Sequence, residues 1–111
     1  MFDRTGMKKG DSIPGLVGWE VHGNPAMEIP GIEVVSFGTA WAGGKTPKTY
    51  TATIYPGADG GFVFNAATIF WCQGLSSPPG HMLPWSHGAR PHGPDSRVQR
   101  ITTNLIQRAI A

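Results

Sequence analysis

The stretch TYTATIYPGADGGFVFN limits most sharply what this chain can fold into. From Thr49 to Tyr55, the residues Tyr50, Ala52 and Ile54 fall on one side and threonines on the other, the period of two that marks a strand. PGADGG follows as a strong turn signal, and FVFNAATIF then begins a second strand. A β-hairpin is expected. A further strand is expected in GIEVVSFG, where Val34, Val35 and Phe37 are β-formers bounded by glycines. The residues AGGKTPKT between these strands read as an exposed loop.

The only helical periodicity lies at the end of the chain. Pro94, Asp95 and Ser96 supply a start signal, and Val98, Ile101, Leu105 and Ala109 recur at helical spacing. Arg97, Arg100 and Arg108 flank this stripe. Arg108 sits in the last turn, where the helix dipole favours a cation. Residues 1–33 read mostly as loop, 34–73 as strands including the hairpin, 74–94 as a long irregular segment and 95–111 as helix. Three strands and one helix do not complete two packed layers. The expectation is a single partial domain over 1–111, the closing portion of a larger α/β domain.

Composition narrows the function classes. There are 16 glycines and 10 prolines, yet 40% of residues are hydrophobic, too many for a disordered chain. The formal net charge is +2 and no basic run exceeds Lys8–Lys9, so nucleic-acid binding through phosphates is not supported. A single cysteine, Cys72, allows no internal disulfide, which fits a reducing, cytoplasmic setting. MFDRTGMKKG has no apolar h-region, and no apolar stretch is long enough to span a membrane.

Several local patterns bear on chemistry. Gly44, Lys45 and Thr46 match the end of a phosphate loop, but Thr39 stands where its first glycine belongs and no helix follows, so a flexible loop is expected. Cys72, in FWCQG, has Phe70 where a nucleophile elbow needs glycine, so a buried structural thiol is expected. His81, His87 and His92 could form a metal site, but their spacing is irregular and solvated loop histidines are the default. Trp19, Trp41, Trp71 and Trp85 suit loop anchoring and interfaces. Asn65 suits a turn cap or a ligand contact. In GLVGWEVHGNP, Glu20 sits between Trp19 and Val21. Partial burial there would favour the neutral acid and suit a general acid or base, while a solvated loop glutamate is the alternative.

Taken together, GLVGWEVHGNP, TYTATIYPGADGGFVFNAATIFWCQGLSSPPG and DSRVQRITTNLIQR resemble the C-terminal part of the N,N-dimethylformamidase large (beta) subunit family, from about Asp11 onward. The resemblance implies a longer large subunit with a glutamine-amidotransferase-like α/β domain, whose final strand and helix FVFNAATIFWCQGL and VQRITTNLIQR resemble. It implies hydrolysis of dimethylformamide and related small amides to an amine and formate. It further implies a mononuclear iron held by two tyrosines and a glutamate, in a complex of large and small subunits. Those ligands lie in upstream segments, so Tyr50 and Tyr55 receive no ligand role, and this chain alone is expected to bind no iron and to be inactive. By position, Glu20 is implied as the base acting on iron-bound water, with His22 a weaker member of the same shell. The competing class is a non-catalytic structural or subunit-interaction module.

Overall fold

The computed structural model describes residues 1–17, 21–42, 46–76 and 93–111. The PGADGG turn forms a hairpin between β2 (Thr46–Pro56) and β3 (Phe62–Asn65), with Tyr55 opposite Val63 and Ile54 opposite Phe64. Asp59 (φ 53°) and Gly60 (φ 78°) make the reversal in the left-handed region, which aspartate tolerates and glycine adopts without steric cost. Gly57 N–H donates to Gly61 O at 2.9 Å and closes the turn.

β1 (Glu33–Ala42) pairs antiparallel with β2, giving a three-stranded sheet of order β1-β2-β3. The expected loop 42–49 is largely strand instead. Thr46–Thr49 pair with Thr39–Ala42, and only Gly43–Lys45 lie between the strands, outside the described residues. The β-branched threonines favour this extension. Pro47 is compatible with it because β3 flanks only Thr53–Pro56, so β2 is paired by β1 alone at Pro47. β3 also stops earlier than the stretch to residue 73 suggested. After Asn65 the chain turns, and Trp71–Gly74 form a short 3-10 turn.

The register of β1 shifts between Val34 and Ser36. The extra residue, Val35, packs against the core, whereas Val34 is exposed. Such a bulge re-aims side chains on one strand without breaking the sheet.

The C-terminal helix α1 (Ser96–Ile110) packs on the sheet face that carries Ile54. Val98, Ile101 and Leu105 are buried, but Ala109 is exposed, so the buried stripe ends a turn earlier than its spacing predicted. Ile101, Leu105 and Ile54 form the core, with Met1, Met7, Phe62, Phe64 and Trp71 around them. Phe64 and Trp71 meet edge to face at 5.3 Å. Trp71 is thus an internal packing residue, and its Nε1–H donates to Thr102 Oγ1 at 3.1 Å. Trp41, by contrast, is 59% exposed on β1.

Asp95 caps α1: its Oδ1 accepts from Arg97 N–H at 2.8 Å, and its Oδ2 pairs with Arg97 Nη2 at 2.7 Å. The hydrogen bond to Asp95 raises the Arg97 pKa above its ordinary value, so the cation persists. Asp95 N–H also donates to Gly74 O at 2.9 Å, joining the helix start to the 3-10 turn. At the other end, Arg108 lies 4.7 Å from the centre of the Phe62 ring, a cation–π contact added to its favourable place on the helix dipole. Asn104 Nδ2 donates to Met1 O and Asp3 O, which holds the first residues of the chain across the helix.

Two stability outcomes follow from the helix start. Asp95→Ala removes the cap and is expected to cost about 1 kcal/mol. Gly74→Ala would place a Cβ 2.9 Å from Val98 Cγ1 and 3.0 Å from Leu16 Cδ1, an overpacking expected to cost about 1–3 kcal/mol. Urea unfolding followed by circular dichroism measures both. An unchanged midpoint for Gly74→Ala would show that the contact with Val98 yields freely.

Candidate functional site

β2 is longer than β3, and this mismatch builds the site. β3 ends at Asn65, opposite Thr53. Two residues earlier in β2, at Thr51, the main chain of His22 takes the place a longer β3 would occupy. Thr51 N–H donates to His22 O at 2.8 Å, and His22 N–H donates to Ala67 O at 3.2 Å. The segment that begins at Val21 is thereby docked between β2 and the turn after β3.

Asn65 shapes that turn. Its Oδ1 accepts from Ala67 N–H at 2.8 Å, the local side-chain-to-backbone bond that lets asparagine end a strand. Ala67 has φ 61° and is almost wholly buried. The other end of the Asn65 amide meets the His22 ring, with Nδ2 2.9 Å from Nδ1. Thr51 Oγ1 donates to Asn24 Oδ1 at 3.0 Å. Thr51 and Thr53 are both buried, although polar. Their face of the sheet is covered here by residues 21–32 rather than left to water.

A cavity of about 450 Å³ opens on this face, lined among others by His22, Asn24, Met27, Thr53, Tyr55 and Asn65. A larger one, about 700 Å³, lies on the opposite, helix-bearing face among Met1, Met7, Val35, Tyr50, Trp71 and Ile101. Its lining is mainly apolar. The Asp11 carboxylate at its margin already accepts from Lys8 N–H at 2.8 Å. The smaller cavity is where polar groups converge, and it is the better candidate for chemistry.

Of the residues singled out in the sequence, His22 falls in this cavity. Glu20, with Gly18 and Trp19, lies outside the described residues, as do Lys45, His81, Trp85, His87 and His92. Val21, the residue after Glu20, lines the cavity. Asn65 does cap a turn, as its position suggested, and it also holds His22. Asn24 and Thr51 were missed. Neither carries a chemical signature alone, and they meet across 27 positions of sequence.

Cys72 differs from the expectation. The expected buried thiol is exposed. Three residues per turn send successive side chains about 120° apart, and here Phe70 and Gly74 are buried while Cys72 points outward. Tyr50 and Tyr55 lie an odd number of residues apart on one strand, so they project from opposite faces. The Tyr50 ring covers Gly38, and Tyr55 lines the smaller cavity. Among the described residues, no three His, Cys, Asp or Glu side chains come together as metal ligands would. The described residues do not fit the two-tyrosine, one-glutamate iron set that the resemblance implies. Among them, no helix is long and apolar enough to cross a membrane.

The chain matches the family model described as N,N-dimethylformamidase beta subunit-like, C-terminal, over residues 1–87. No curated protein and no solved structure matches it. The matched residues contain the whole sheet, the docked segment around His22 and the turn at Asn65, while α1 lies beyond them. With most of its length matched, this chain belongs to the N,N-dimethylformamidase beta subunit-like, C-terminal family.

Proposed function

We propose that this chain is the C-terminal region of an amidohydrolase that cleaves small N-substituted formamides and related amides to an amine and a carboxylate. The observation that carries this reading is the family match across residues 1–87, which includes both Glu20 and the cavity-lining His22. In the reaction, a water oxygen attacks the amide carbonyl carbon while Glu20, as general base, takes the water proton. The C–N bond then breaks, and a proton passes to the departing nitrogen. The products are the amine and, from a formamide, formate. His22 stands in the same shell, with its main chain fixed to β2 and to the turn at Ala67.

In this reading the iron implied by the resemblance would be held by segments of the parent upstream of this chain, where it would lower the pKa of bound water. The sheet and helix are read as the closing part of a larger glutamine-amidotransferase-like domain in a cytoplasmic enzyme. The partners in this reading are the remainder of the large subunit and a small subunit. One observation favours a second reading, a non-catalytic structural or subunit-contact module. Phe37 is 76% exposed and Trp41 59%, both on the same side of β1. Side chains of this size left in water favour contact with other protein surface.

Glu20→Gln in the assembled enzyme separates the two. It keeps the side-chain shape and removes the proton acceptor. Turnover of N,N-dimethylformamide is expected to fall roughly 10²–10⁴-fold, with fold and metal content retained. Turnover near that of the parent would assign the region to the structural reading. Loss of metal together with activity would make Glu20 a ligand or the support of one.

A further inference from the structure

We propose that Asn65 is a positioning residue that locks neutral His22 as the Nε2–H tautomer, so that His22 meets the substrate as a hydrogen-bond donor to its carbonyl oxygen. The tautomer follows from donors and acceptors alone. The Ala67 main-chain N–H can only donate, so the Asn65 atom 2.8 Å from it is the carbonyl Oδ1. The atom turned to His22 is therefore the amide nitrogen Nδ2, which can only donate. At 2.9 Å from it, His22 Nδ1 must accept, and a neutral imidazole that accepts at Nδ1 carries its proton at Nε2. Nε2 has no partner among the described residues. His22 is exposed and lines the 450 Å³ cavity together with Asn65, so Nε2 is open to a molecule bound there.

The clamp is hydrogen-bonded at each joint. Asn65 ends a strand and is tied to Ala67 through its own side chain. The His22 backbone is held at both its N–H and its C=O. A ring fixed in this way cannot use Nε2 as a metal ligand while the Asn65 bond persists, because that nitrogen bears a proton. It is built instead to place a positive dipole end where negative charge develops on a carbonyl oxygen. The donor role rests on the amidohydrolase reading above, whereas the tautomer lock does not.

Nitrogen-15 NMR of the histidine rings in the 111-residue chain, at alkaline pH where imidazoles are neutral, tests the lock directly. His22 is expected to show an unprotonated Nδ1 and a protonated Nε2. Asn65→Asp keeps an oxygen for Ala67 N–H but turns a second acceptor towards Nδ1, so the proton is expected to move to Nδ1. A protonated Nδ1 in the parent chain, or an unchanged tautomer in Asn65→Asp, would overturn the lock. In the assembled enzyme assayed at the same alkaline pH, where the ring is neutral, Asn65→Asp is expected to lower kcat for N,N-dimethylformamide by roughly 10²–10³-fold with KM little changed, the scale of one lost oxyanion donor. A switched tautomer with unchanged kcat would overturn the donor role and leave the lock standing. If Glu20→Gln also left turnover intact, this region would be structural rather than catalytic, whereas a parent enzyme without turnover would overturn the amidohydrolase reading itself.

Discussion

Every buried main-chain N–H and C=O needs a partner, and β2 makes that demand beyond the end of β3. β2 runs from Thr46 to Pro56, while β3 is paired only with Thr53–Pro56. Thr51 is buried, so its N–H cannot turn to water. His22 O answers it, and Ala67 O in turn answers His22 N–H. These two bonds fix a segment that has no regular structure of its own. They also set the floor of the cavity, because they bring Val21–Asn24 across the threonine face of the sheet.

The other face has a different task. There Ile54, Ile101 and Leu105 exclude water, and full burial of an aliphatic side chain of this size stabilises a fold by roughly 1.5–3 kcal/mol. The division of labour follows from strand geometry, since neighbours in β2 point to opposite sides. Ala52 and Ile54 face the helix, and Thr51 and Thr53 face the docked segment. Packing can therefore be optimised on one side while the other keeps hydroxyl and amide groups near a cavity. The same geometry explains why Tyr50 and Tyr55 do not meet.

Local signals were legible in the sequence. PGADGG marked the β2–β3 turn, and Asp95 with the Val98, Ile101 and Leu105 spacing marked α1. What depended on distant partners was not. Thr46–Thr49 read as loop because Gly43, Gly44 and Pro47 are turn residues, yet pairing with β1 made them strand. Val34 and Val35 are chemically alike, and only the bulge sends one to the core and the other to solvent. Cys72 was judged by its aromatic neighbours, but the 3-10 turn separates its direction from theirs. At the site, His22 drew notice as an ionisable group near Glu20. Its contact with Asn65 spans 43 positions, and no local pattern announces it.

The His22 main chain completes β2 where β3 stops. Residue-resolved hydrogen–deuterium exchange at the Thr51 amide tests it most directly. Protection comparable to that of amides inside the sheet ladders is expected, because Thr51 N–H is bonded to His22 O at 2.8 Å. Exchange at the rate of an unstructured chain, with neighbouring ladder amides still protected, would contradict it.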